Sequence, residues 1–233
     1  MNLLAIDAST DTLTLAILAN GQRFHYAEKV GNQHSEHILP QIRQLLTAAN
    51  LELAALDAIV FGQGPGGFTG LRISCAVAQG LAYVHQLPVI AIPSLDAVAA
   101  QSQAERVFVC MDARMNEVFW ACYENGIRIS PLAVNKPADI ELSGALAGTW
   151  QSIGTGYTPY QTLFTPQALE ALAATTLVAT PCANRLIDLA LTGRYPSISA
   201  DKTDLLYVRN NVAMTLIEQQ DAKRKLAHDA PTQ

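Results

Sequence analysis

A chain of 233 residues, half of them apolar, can bury a sizeable core, as one large domain or as two lobes of about 100 residues each. Only 15% of the residues are charged and the formal net charge is −5, which excludes a protein that grips phosphate backbones unaided, so any nucleic acid must be held mainly by a partner. Met1 to Ile6 is apolar but reaches Asp7 at once, without a basic start or a cleavage site, and no run of 18 uncharged apolar residues follows; neither secretion nor a membrane span is expected, and the location implied is cytoplasmic.

From the start of the chain, three strand-like runs between Leu3 and Phe24 form a meander with Asn20-Gly21 at a hairpin turn. A helix follows over about 34–50, with Ile38, Ile42, Leu45, Leu46 and Ala49 at helical spacing and Pro40 expected to disturb its first turns. Ala58 to Phe61 reads as a buried strand, followed by a glycine-rich turn and a helix over about 69–83. A strand at 88–92 and a helix opened by Ser94 complete an order βββαβαβα. The second half repeats the meander from Phe108 to Ile129, then shows a strand near 149–153, Gly154-Thr155-Gly156, a strand near Leu177 and a helix over about 182–191. Cys75, Cys110, Cys122 and Cys182 are scattered without C-x-x-C spacing and read as small core residues.

Leu3–Phe24 aligns with Phe108–Ile129 at a constant offset of 105 without a gap, with six identities in 22 positions: Asp7/Asp112, Ala8/Ala113, Ala16/Ala121, Asn20/Asn125, Gly21/Gly126 and Arg23/Arg128. A repeated meander with crossover helices is the organisation of the actin, Hsp70 and sugar-kinase class. The expectation is a duplicated, two-lobed α/β fold of ribonuclease H-like and actin-like (ASKHA) design, with one lobe at 1–102, a second at 103–215 and a polar, mobile tail at 216–233.

Gly62, Gly64 and Gly67 form G-x-G-x-x-G between a strand and a helix, yet no acidic residue lies between Asp57 and Asp96 to hold a ribose, and no lysine lies between Lys29 and Lys136 to meet a phosphate. A structural tight turn, or backbone N–H groups offered to an anion, remain open. Asp7 and Asp112, each followed by small residues, are placed where actin-like ATPases hold magnesium-bound phosphates, so an ATPase or phosphotransferase using both is the alternative function. Ser9 and Arg114, however, stand where close backbone approach favours glycine, and Gly154 and Gly156 lack a longer glycine run. These five residues, Asp7, Ser9, Asp112, Gly154 and Gly156, mark a vestigial cleft and not a working one. His34 and His37 find no third ligand, so no metal site, no catalytic residue and no cofactor is nominated. Ser74, Ala78 and Ala82, with Cys75 and Leu71 beside them, form a small-residue ribbon. Together with His34, Ile38, Ile42 and Leu45 on the preceding helix it could build a partner interface, or pack on its own sheet.

Four strings carry a resemblance: Ile6-Asp7-Ala8-Ser9-Thr10; His34-Ser35-Glu36-His37-Ile38-Leu39-Pro40; Gly64-Pro65-Gly66-Gly67-Phe68-Thr69-Gly70-Leu71-Arg72; and Asp112-Ala113-Arg114 with Glu117-Val118-Phe119. The chain resembles the TsaB (YeaZ) family over its first 125 residues, and more loosely through Gly154, Gly156, Tyr160 and Tyr207-Val208-Arg209. Resemblance implies a non-catalytic scaffold in forming N6-threonylcarbamoyladenosine (t6A) on adenosine 37 of tRNAs that read codons beginning with adenine. The implied partners are a TsaD-like catalytic subunit and a TsaE-like ATPase, with a homodimer when alone and tRNA contacted only indirectly. In the TsaD family two metal-binding histidines four residues apart follow the equivalent of Ile90-Ala91-Ile92-Pro93. Here those positions are Ser94 and Val98, which cannot hold the metal. Gly67 stands where the TsaB family commonly has Ser.

Overall fold

The computed structural model describes residues 1–172 and 175–209; the polar tail expected at 216–233 lies outside the described residues. The first lobe opens with β1 (Leu3–Asp7), β2 (Thr12–Ala19) and β3 (Gln22–Lys29), then α1 (His34–Ala48), β4 (Ala58–Gly64), α2 (Phe68–His85), β5 (Val89–Pro93) and α3 (Ser94–Ala99). Asn20 and Gly21 both take positive φ, 51° and 82°, so the two-residue turn follows the right-handed twist of its strands, as Asn-Gly predicts. β1, β4 and β5 run parallel in the interior, where runs such as Leu3-Leu4-Ala5-Ile6 are apolar on both faces because helices cover both. Pro40 sits inside an unbroken α1. Its lost hydrogen bond would have gone to the Glu36 carbonyl, and both residues lie on the exposed side of the helix, where water can replace it.

The second lobe is built from β6 (Arg106–Arg114), β7 (Glu117–Glu124), β8 (Ile127–Arg128), β9 (Ala133–Asn135) and β10 (Gln151–Ile153), with α4 (Tyr157–Tyr160) and α5 (Pro166–Ala171). β10 lies parallel to β6 as β4 does to β1, and Ile153 bridges Leu177 in parallel as β4 pairs β5. The duplication is therefore real at the level of topology, and the fold is the two-lobed α/β architecture of actin-like design.

Among the described residues the chain from 103 onward does not stay in the second lobe, as a lobe over 103–215 would require. After Leu177 the chain returns to the first lobe: α6 (Ala183–Leu191) covers the back of the first sheet, and β11 (Ser197–Ile198) adds to the edge of β5. The cause is the otherwise bare apolar face made by Leu3, Ala5, Ala16, Val60 and Ile92, which Leu186 and Ile187 seal. α3 does the reciprocal job, with Leu95 and Val98 packed on Val107, Val109 and Ala121 of the second sheet. Each lobe thus covers one sheet face with its own helices and the other with a helix that the other half of the chain supplies. Between them, Asp96 of α3 accepts hydrogen bonds from Tyr123 Oη (2.6 Å) and Tyr195 Oη (2.9 Å) and pairs with Arg128 (3.4 Å). Among the described residues no helix is long and apolar enough to cross a membrane.

Candidate functional site

At the end of β1, Asp7 is wholly buried. Its Oδ1 accepts the Ser9 N–H at 3.0 Å and the Ser9 hydroxyl at 2.7 Å, while Oδ2 has no partner. Burial pushes its pKa from 3.8 to about 6, and the two Ser9 hydrogen bonds only partly oppose that rise. Oδ2 faces Gly62 so closely that a Cβ there would lie 2.0 Å away. The same turn presses on the β1–β2 loop: added Cβ atoms on Gly66 and Gly70 would lie 2.5 Å from the Ser9 carbonyl oxygen and 1.9 Å from that of Ala8. The Gly67 N–H, at the start of α2, donates to the Ser9 carbonyl at 2.7 Å, and the Gly64 N–H donates to the buried Ser94 hydroxyl at 3.2 Å. Of the two readings of the glycine string, the tight turn is the one that forms. Its glycines admit the protein's own backbone, and these N–H groups are already engaged.

Asp112 makes the same local motif, with Oδ1 accepting the Arg114 N–H at 2.7 Å and the Tyr160 hydroxyl at 2.9 Å. That hydrogen bond to Asp112 raises the Tyr160 pKa. Asp112 is nevertheless not the counterpart of Asp7, which corrects the gapless alignment. Leu4 pairs with Ile17 in the first lobe and Phe108 with Cys122 in the second. Ile17 and Cys122 are 105 residues apart, as expected, but Leu4 and Phe108 are 104 apart. The slip is absorbed by an irregularity between Asp112 and Arg114, whose turn residues Arg114, Met115 and Asn116 all have positive φ. One residue of slip turns a side chain to the other face of a strand. Met111, opposite Phe119, therefore stands where Asp7 stands opposite Thr14. Asp7 points with Leu3 and Ala5 to the α6 side, and Asp112 points to Tyr160 on α4.

Gly154 and Gly156 also serve packing. Gly154 has φ +127° with the Cys110 carbonyl oxygen 2.2 Å from its would-be Cβ, and Gly156 presses on Met111 and Asp112 while its N–H donates to Cys110. They seat the loop after β10 against β6.

For the helix face, the packing alternative is the one realised. His34, Ile38, Ile42 and Leu45 of α1, and Leu71, Ser74, Cys75, Ala78 and Ala82 of α2, are all buried, most of them against Leu4, Ile6, Leu15 and Ile59 of their own sheet. These nine residues are turned into the protomer, so the face expected from spacing is not a free surface. The outer side of α2 presents Ile73, Ala76, Val77 and Gly80, ending in Tyr83 and Val84, which are 74% and 73% exposed. Leu39 is exposed on the adjacent α1. Gly80 meets nothing within 4 Å of its would-be Cβ, so no contact inside the protein accounts for a glycine in mid-helix, where it costs about 1 kcal/mol relative to alanine. Small residues occupy both sides of α2, and spacing alone does not say which side meets the sheet.

The family model described as "TsaD: tRNA N6-adenosine threonylcarbamoyltransferase" matches residues 26–144. The chain is similar to the Escherichia coli (strain K12) protein named tRNA threonylcarbamoyladenosine biosynthesis protein TsaB, at 33% identity over 225 residues, 91% of this chain and 96% of that one. The Haemophilus influenzae protein of the same name is 43% identical over 125 residues, 52% of this chain and 53% of its own length. A solved structure described as YeaZ from Pseudomonas aeruginosa superposes with a TM-score of 0.78 at 35% identity, over 88% of this chain and 99% of that one.

Proposed function

The chain belongs to the TsaB (YeaZ) family, and from that premise we propose that it serves threonylcarbamoyladenosine formation in tRNA as a non-catalytic subunit. It binds a TsaD-like catalytic protein through the outer face of α2 and the adjoining edge of α1, in an assembly that a TsaE-like ATPase joins in the cytoplasm. tRNA is contacted mainly through the partner, in keeping with a net charge of −5.

The observation that carries this reading is the exposed run of Ala76, Gly80, Tyr83 and Val84 along α2, beside the half-buried Ile73 and Val77, small enough at Ala76 and Gly80 for a second helix to approach closely. The match of residues 26–144 to a TsaD model supports a pairing between related lobes, and the same face would join two copies of this chain when the partner is absent. The cleft geometry supports the non-catalytic part, since Asp7 is sealed behind Gly62 and Asp112 faces another layer.

Two substitutions two residues apart test it. Gly80→Arg has open space in the protomer, so melting should move little, while association with a TsaD-like protein falls at least about tenfold by calorimetry. Ala78→Arg, wholly buried, should lose the fold itself. Unchanged association in Gly80→Arg would place the partner elsewhere.

A further inference from the structure

The chain crosses between the lobes near 101–105, again near 178–182, and a third time at its last described residues. On this third crossing the first-lobe end is pinned by Gln79, whose Nε2 donates to the carbonyls of Ala200 and Thr203, both at 3.1 Å. Gln63, near the end of β4, holds the crossing segment twice: its Nε2 donates to the Asp204 carbonyl at 3.1 Å, and its carbonyl accepts the Leu206 N–H at 2.9 Å. Gly64, with φ +103°, lets the segment lie flat, because a Cβ there would come within 3.1 Å of the Leu206 carbonyl oxygen. Leu205 packs into the first-lobe core, and the Tyr207 hydroxyl accepts from Arg72 Nε at 3.3 Å.

One residue further on, the contacts belong to the second lobe. Val208 packs beside the cluster of Val109, Met111 and Phe119, and Arg209 donates to the Ala113 carbonyl at 3.1 Å, pairs with Glu117 and lies over the Phe119 ring. Leu206 also lines the interlobe cavity of about 480 Å³, with Gln63 and Pro93 on one wall and Arg128, Ser130, Pro131 and Leu132 on the other.

We propose that residues 203–209 form an intramolecular clasp that closes the cleft and holds the two lobes in one fixed relation. A hinged two-lobed protein opens by rotating about a few linking residues. Here rotation must also break the Gln63 pair, pull Val208 from its cluster and strip Arg209 of its carboxylate, all in one short segment. The Gln63-to-Gly64 step and the Tyr207-Val208-Arg209 string thereby acquire a common purpose: each end of the clasp is held in a different lobe. The clasp touches α2 at Gln79 and Arg72 and not at the residues of the partner face, so its failure would leave the reading of that face untouched.

The test is an interlobe distance distribution by pulsed electron paramagnetic resonance. Spin labels go on the full chain at exposed His25→Cys and Glu170→Cys, in a Cys182→Ser background, and the labelled protein is diluted with excess unlabelled protein so that only distances within one chain are read. The parent should give one narrow distribution, unchanged by Mg-ATP. Tyr207→Ala, Val208→Ala and Arg209→Ala combined should broaden it about twofold or more while cooperative melting persists. If the triple variant does not fold, Arg209→Ala alone decides, since it releases only the second-lobe end, and it too must broaden. A parent distribution that is already broad or shifts with Mg-ATP overturns the clasp. So does an unchanged distribution in the folded variant, which would mean that α3 and the Asp96 network suffice to fix the lobes.

Discussion

Asp7→Asn should change how stability depends on pH. In the folded protein Asp7 has a pKa of about 6 because burial penalises its charge, whereas the unfolded chain has the ordinary value of 3.8. Between those two values the folded state holds more protons than the unfolded one, so the stability contributed by Asp7 is fully present below about 4 and is lost as pH rises through about 6. A difference of about two units corresponds to about 3 kcal/mol. Asparagine does not titrate, so Asp7→Asn should gain about 3 kcal/mol on the parent between pH 4 and pH 7.5, whatever its offset at acid pH. Urea denaturation of both proteins across that range isolates the effect, because other groups cancel in the difference. A difference independent of pH would refute the reasoning. Oδ2 would then have a water or cation partner in the native state, and the cleft would regain an ionised carboxylate for phosphate chemistry.

Gly70→Ala should destabilise by about 3 kcal/mol or more by chemical denaturation, because its Cβ would sit 1.9 Å from the Ala8 carbonyl oxygen, and the buried backbone just after β1 has little freedom to retreat. A loss under about 0.5 kcal/mol would mean that the turn does not rest on the β1–β2 loop. Asp96→Ala leaves the buried Tyr123 hydroxyl and the Arg128 guanidinium without their acceptor and should cost about 3 kcal/mol by the same measurement. A neutral result would place water in that junction.

Much of the fold is legible in the residues alone. Asn20-Gly21 and Asn125-Gly126 specify two hairpins through the φ they tolerate, and both adopt it. Periodicity locates α1, α2 and α6, and the missing acid and lysine rule out nucleotide readings of the glycine string without any coordinates. The glycines themselves announce a close approach, but not what approaches. Only the folded chain shows that Gly62, Gly66 and Gly70 admit Asp7, Ser9 and Ala8, and that Gly64 admits Leu206.

What the sequence by itself determined is local: turn chemistry, helix spacing, a repeated strand order and a family-specific string around α2. Tertiary structure decided the rest, because those properties turn on which surface a residue meets. A 105-residue offset that matches six identities does not reveal a one-residue slip between β1 and β6, since register is set by partner strands and by the bulge at Asp112. Helical spacing places Ser74, Ala78 and Ala82 on one side of α2 and Ala76 and Gly80 on another, but the sheet chooses which side is buried. Nor can chain order show that α6 and β11 rejoin the first lobe, because the apolar face that recruits them exists only once β1, β2, β4 and β5 have come together.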